Sequence, residues 1–343
     1  VNHYNEQYLL PNIELDIFTY DTQYDPKKYI PGYEWLREKG ADIIFTPIMH
    51  ASNIISNWSK RDDADIDPIL FTLSSTEEVL SPNGRSFVLG SSPEQEAFTL
   101  LKWIADNDWD YKTNGPTKIG IAYWDSDEYG IAVRNSIAQY VKIHPEQFEW
   151  GEYQLSSAIS PNYVFQDWDY FIPPTAMPTF IENLRNKGFT GKFVGTDAHT
   201  FLLDRIDETK VWDKLDGSLF IRSIPWWTEE DELIELTKNL LYTNQPDEAE
   251  EIIQSGSGYL AAMYINQILE IVKNSVEQVC AANFDEALYN AARSFSTTIG
   301  GFPHSFNNSK RTSADALAIY EVRATDKNLF RLTPDWIPVV REP

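Results

Sequence analysis

A chain of 343 residues, 42% hydrophobic and 14% aromatic, is a folded protein long enough for two cores, because single cores seldom grow past roughly 250–300 residues. Its 52 Asp and Glu against 28 Lys and Arg give a formal charge of −24, which argues against nucleic acid as a partner, since phosphate binding needs clustered cations. Cys280 is the only cysteine, so disulfides and cysteine-built metal sites within the chain are excluded. No run approaches the roughly 18 apolar residues of a membrane span. Cys280 sits among Val279, Ala281 and Ala282 and reads as a buried small hydrophobe. An acidic chain nearly free of cysteine suits a place outside the cytoplasm.

In chain order, residues 13–20 alternate as a strand does. Asp25-Pro26 supplies an N-cap and a first-turn proline for a helix toward Glu38, which Pro31-Gly32 must kink or delay and Gly40 stops. Residues 41–45 form a short buried strand, followed by a helix with Ile54, Ile55 and Trp58 and a solvated acidic loop over 61–67. Residues 68–72 are another strand, ending in Leu73-Ser74-Ser75-Thr76-Glu77-Glu78. Residues 87–89 are strand-like, and 93–106 place Ala97, Phe98, Leu101 and Ile104 on one helical face.

Asn114-Gly115-Pro116 is a strong breaker of the kind found at a domain boundary. Beyond it Ile119, Ile121 and Tyr123 alternate with small residues, as in a strand buried on both faces of a parallel sheet. The chain leaves through Trp124-Asp125-Ser126-Asp127-Glu128, and Gly130 opens a helix carrying Ile131, Ile137, Ala138 and Val141. Such a strand, polar loop and helix line the crevice of an open α/β sheet. Strands at 170–172, 192–195 and 218–221 follow, with a helix over 177–187 that Gly188 stops. Then come three helices, 229–242, 257–275 and 284–294, with no strand between them. Gly300-Gly301-Phe302-Pro303 breaks that run before a last strong strand at 316–322. The alternation predicts an α/β protein with two doubly wound parallel-sheet lobes. The helical block suggests that the chain returns to its first lobe before crossing again.

No G-x-G-x-x-G, Walker loop, G-x-S-x-G elbow or H-x-x-x-H pair is present. Gly256-Ser257-Gly258 precedes a long helix and reads as its flexible N-terminal cap. Residues 125–130 resemble the start of a calcium loop, but Tyr129 and Ser136 stand where ligands belong. The five histidines, at 3, 50, 144, 199 and 304, have no metal-ligand spacing. Neither metal nor cofactor is expected. Three loops after strands remain. Ser75 with Glu78 matches a capping box, which is either a cap alone or a helix start that favours an anion. Tyr129 offers an apolar face and one hydroxyl, or simple packing. Asp197, in Val194-Gly195-Thr196-Asp197-Ala198, is a strand-end carboxylate or a cap. An anion site facing a carboxylate would suit an amino acid.

The order of YDTQYDPKKYIPGYEWL, ADIIFTPIMHAS, PILFTLSSTEEV, IGIAYWDSDEYG, LRNKGFTGKFVGTD and SADALAIYEV resembles the type I periplasmic binding proteins, nearest to the branched-chain amino-acid-binding group of ABC transporters. The resemblance spans nearly the whole chain. It implies two α/β lobes joined by a three-crossover hinge, with crossovers near 114–117, 225–229 and 302–312. The lobes would be 1–114 with 229–304, and 117–226 with 312–343. It places His50 and Ala51 beside a ligand, gives Ser74 and Thr76 the ligand carboxylate, matches Tyr129 to the Tyr-Gly of the second lobe, and hands the ligand ammonium to Asp197. The family's first strand would precede Val1, so the first sheet is expected to lack a strand. Pro173-Pro174-Thr175 stands where some members carry a second aromatic, so the pocket need not take a branched aliphatic side chain. The function implied is an extracytoplasmic, monomeric solute-binding protein. It would capture a small polar ligand by hinge closure, deliver it to a membrane permease, and catalyse nothing. A ligand-sensing receptor domain of the same fold is the alternative; a hydrolase using Asp197 and His50 is a weaker one, since no nucleophile–base pair is visible.

Overall fold

The computed structural model describes residues 1–343 apart from 8, 11–12, 60–66, 81–83, 156–166, 176–177, 202, 256–260, 277 and 280–282. The loop over 61–66, the Gly256-Ser257-Gly258 cap and Cys280 lie outside the described residues. The chain divides into two compact units, Val1–Leu89 with Asn266–Ser296 and Ser305–Ser313, and Gly90–Ile265 with Thr297–His304 and Ala314–Pro343.

In the first unit, strands β1 (Ile43–Thr46), β2 (Ile69–Thr72) and β3 (Ser86–Val88) form a parallel sheet in the order β1-β2-β3. Ile43 pairs with Ile69, and Leu70 with Ser86. Tyr33, Ile44, Ile55 and Leu70 make a core between this sheet and the helices Tyr29–Glu38 and Met49–Ser59. The proline in the first of these helices does not break it. Pro31 falls in the first turn, where a backbone N–H has no helical acceptor to lose. Asp25 instead caps a short 3-10 turn, Pro26–Lys28, that leads into it. Gly40, at φ +82°, closes it. Residues 13–20 form no strand. Their alternation is real, but no described strand edge pairs with them; β1 pairs with β2 alone. A cavity of about 370 Å³ lies in this unit, lined by Thr19–Tyr24, Tyr29, Tyr33, Ile44, Ile48 and Ala51.

The second unit is built on strands β4 (Thr117–Trp124), β5 (Phe148–Leu155), β6 (Tyr170–Ile172), β7 (Lys192–Gly195) and β8 (Leu219–Arg222). All five run parallel, in the order β8-β7-β6-β4-β5. After the short pair β9 (Ser296–Ile299) and β10 (Phe302–Ser305), β11 (Ala316–Arg323) adds antiparallel to β8, and β12 (Asn328–Arg331) antiparallel to β11. Gly120 is needed mid-strand because a Cβ there would meet the Phe171 ring at 2.6 Å.

The units part at Leu89–Gly90, not at Asn114. Helix Pro93–Trp103 is the reason: Phe98 and Leu101, with Ile104 just beyond it, share one core with Ile119, Val133 and Tyr140. Asn114-Gly115-Pro116 is a genuine turn, with Gly115 at φ +79°, but it lies inside a unit. Residues 229–265 also stay with the second unit. The Thr228 hydroxyl donates to the Leu329 carbonyl at 2.7 Å, and Glu229 meets Arg331 at 3.3 Å. Among the described residues no helix is long and apolar enough to cross a membrane.

Candidate functional site

The carboxyl ends of β4, β7 and β8 lie on one end of the second unit's sheet, with β6 between β4 and β7, the position where open parallel sheets present polar groups. Tyr129 stands in the first turn of helix Glu128–Ile143, which Asp127 caps by accepting the Tyr129 N–H at 3.1 Å. Thr196 and Asp197 follow β7 directly, and Arg222 and Ser223 end β8. Helix Pro93–Trp103 adds Glu96, and helix Ala261–Val276 adds Tyr264.

One of the two Asp197 carboxylate oxygens is fully engaged. Oδ2 accepts from the Ser223 N–H at 2.9 Å, the Ser223 hydroxyl at 2.6 Å and the Tyr264 hydroxyl at 3.2 Å. Oδ1 lies 3.2 Å from Arg222 Nη1, an ion-pair contact in which Oδ1 accepts no hydrogen bond from the described residues. Arg222 is wholly buried, with its guanidinium 4.8 Å from the Trp226 ring centroid. The sequence reading offers Asp197 to a ligand ammonium; here that carboxylate already holds an internal cation.

Glu96 is buried beside it. Its Oε1 accepts from the Ser91 hydroxyl at 2.8 Å, and its Oε2 from the Tyr129 hydroxyl at 2.7 Å and the Asp197 N–H at 3.3 Å. Burial, and then the Asp197 carboxylate, push its carboxyl up to about 8. The Tyr129 hydroxyl also lies 2.7 Å from Thr196 Oγ1, and burial raises its phenol well above the ordinary range. His199 is held neutral: the Thr196 N–H donates to its Nδ1 at 3.1 Å, so its Nε2–H donates to the Pro173 carbonyl at 2.9 Å. Burial lowers it to about 4. With both ring nitrogens bonded and its basicity depressed, this imidazole is poorly placed to take a proton from a substrate.

The other candidates gather in the first unit. His50 opens helix Met49–Ser59, its ring 5.7 Å from that of Tyr29, and Ala51 is buried on the cavity wall. The Ser74 carbonyl accepts from the Ser52 hydroxyl at 3.0 Å, which ties the end of β2 to the start of that helix. No capping box forms at Ser75. Its hydroxyl donates to Asn53 at 2.8 Å, and Thr76 begins a turn, its carbonyl accepting from Val79 at 3.1 Å, rather than a helix. Thus His50, Ala51, Ser74 and Thr76 share one unit, while Tyr129 and Asp197 meet through Glu96 in the other.

The sequence reading passes over Glu96, Arg222, Ser223 and Tyr264. One signal was available for Arg222: a charged residue directly continues the apolar run Leu219-Phe220-Ile221. Glu96 gives none, being one acid among several on an amphipathic helix.

No family model and no curated protein matches the chain. Solved structures do. A branched-chain amino acid ABC transporter protein from Thermus thermophilus, with bound valine, has a TM-score of 0.78 at 17% identity, over 97% of this chain and 88% of that one. A fatty acid ABC transporter substrate-binding protein from Thermomonospora curvata has a TM-score of 0.74 at 15% identity, over 98% and 88%. An ABC transporter solute-binding protein from R. palustris, in complex with 4-hydroxybenzoate, has a TM-score of 0.66 at 13% identity, over 94% and 86%. At these identities the likeness is one of fold.

Proposed function

We propose that this chain, folded as a type I periplasmic binding protein, is an extracytoplasmic solute-binding protein that captures a small polar solute and delivers it to an ABC transporter permease. The observation that carries the reading is the polar cluster at the carboxyl ends of β4, β7 and β8, set on a fold shared over nearly its full length with proteins that carry such solutes. Tyr129 and Glu96 are the groups through which the second unit would meet ligand, with His50, Ser74 and Thr76 serving in the first. The chain works as a monomer and turns nothing over.

Native mass spectrometry of the purified protein, followed by calorimetry against amino acids, hydroxybenzoates and fatty acids, tests this. One compound should bind with one-to-one stoichiometry and be recovered unchanged. Steady conversion of a bound compound to product would refute the reading.

A further inference from the structure

Glu96 and Asp197 are two buried carboxyl groups in one hydrogen-bonded cluster, and among the described residues that cluster holds a single cation, Arg222. Arg222 belongs to Asp197. Glu96 has only dipoles: the Ser91 and Tyr129 hydroxyls and the Asp197 N–H. Ionising both acids would leave one negative charge uncompensated where water is excluded, which is costly.

The hydroxyls around Glu96 offer a complete alternative. With Glu96 neutral, its own O–H donates to the Tyr129 oxygen over 2.7 Å, and the Tyr129 O–H to Thr196 Oγ1 over 2.7 Å. The Thr196 hydroxyl then shares His199 Nδ1 with the Thr196 N–H, over 2.9 and 3.1 Å, and His199 Nε2–H donates to the Pro173 carbonyl over 2.9 Å. Every donor in the line has one acceptor. With Glu96 ionised, Tyr129 must turn its proton to Glu96. The link to Thr196 then survives only if that hydroxyl turns from His199, leaving Nδ1 to the Thr196 N–H alone, and the unmatched negative charge on Glu96 remains buried.

We propose that this line is a proton-operated latch: protonated Glu96 ties helix Pro93–Trp103 to helix Glu128–Ile143 and to the end of β7, and loss of the proton loosens that end of the site. The charged and titratable groups facing Glu96 are Asp197 and His199 after β7, Tyr129 on its helix, Tyr264 on helix Ala261–Val276 and Arg222 on β8. His199 is neutral above about 4, and burial lifts both phenols well above their ordinary range. Glu96, lifted from 4.5 to about 8, is therefore the group that changes charge near neutrality. Its folded value is raised, so its stabilisation is complete below pH 4.5 and is lost as pH climbs through about 8.

Hydrogen exchange read by mass spectrometry on the intact chain, from pH 5 to 9 and corrected for intrinsic exchange rates, tests it on wild type and Glu96→Gln. In wild type, protection over 93–103, 128–143 and 192–200 should fall by up to about tenfold per pH unit as pH rises toward 8, then level off. In Glu96→Gln, which cannot ionise, protection should stay level from pH 6.5 to 9, where His199 stays neutral. A flat wild-type profile, or an equal fall in the variant, would overturn the latch. Should the variant fail to fold, carbon-13 titration of the wild-type Glu96 carboxyl decides: a midpoint near 8 supports the latch, and one near 4.5 overturns it.

Discussion

Replacing Asp197 by alanine separates a structural counter-ion from a carboxylate that waits for ligand. The substitution leaves Arg222, fully buried, without its counter-charge at 3.2 Å. It also removes the acceptor for the Ser223 N–H, the Ser223 hydroxyl and the Tyr264 hydroxyl. Breaking one side of a buried ion pair costs about 3–5 kcal/mol, and part of the three orphaned donors is already counted in that figure. Asp197→Ala should therefore lose about 3–5 kcal/mol of stability in urea unfolding without any ligand present. Asp197→Leu combined with Arg222→Met should recover much of that loss, because an apolar pair of similar volume often replaces a buried ion pair at little cost. A double-mutant cycle over Asp197→Leu, Arg222→Met and the pair then yields a favourable coupling between the two side chains. If Asp197→Ala instead unfolds within about 1 kcal/mol of wild type, yet loses about 30- to 1000-fold in affinity for an amine ligand, the counter-ion argument fails. The ammonium role that the resemblance implies would then return to Asp197.

Two further outcomes follow from the same geometry. Tyr129→Phe keeps the ring but deletes the hydroxyl between Glu96 and Thr196, and should cost about 1–3 kcal/mol in thermal unfolding, because it strands buried polar atoms. His199 is depressed from 6.5 to about 4, so its contribution is complete above pH 6.5 and is lost as pH falls toward 4. An acid unfolding titration should show that loss in wild type and not in His199→Asn; equal acid profiles would remove His199 from the account.

The sheet strands β4, β7 and β8 were legible because each is a short apolar run bounded by turn residues, a pattern that needs no knowledge of neighbours. Residues 13–20 carry the same quality of signal and form no strand. Alternation reports that two faces differ in polarity; only a paired edge makes a strand, and periodicity is silent about edges. The compact units part away from Asn114 for a related reason. Asn114-Gly115-Pro116 does turn the chain, but a turn says nothing about which core takes the helix before it. The apolar face of Pro93–Trp103 would suit either sheet, and its contacts with Ile119 and Val133 decide. At Ser75 the sequence offered the right residues for a cap, and Asn53, 22 positions earlier, claimed the hydroxyl.

The same limit hides the internal partner of Asp197. A carboxylate just past a buried strand is visible in a single stretch of sequence; its partner, Arg222, arrives only when β7 and β8 pair. That pairing changes the chemistry available to a solute. Asp197 and Arg222 cancel, so the site's remaining charge is the one Glu96 carries or releases. A neutral or hydroxylated solute can meet the Glu96–Tyr129 hydroxyl line without disturbing that balance. An amine adds a second cation, and the cluster stays neutral only if Glu96 gives up its proton as the amine enters. Selectivity for an amine at this cluster would therefore rest on Glu96, on the helix that opens the second unit, and would weaken as pH falls below about 8.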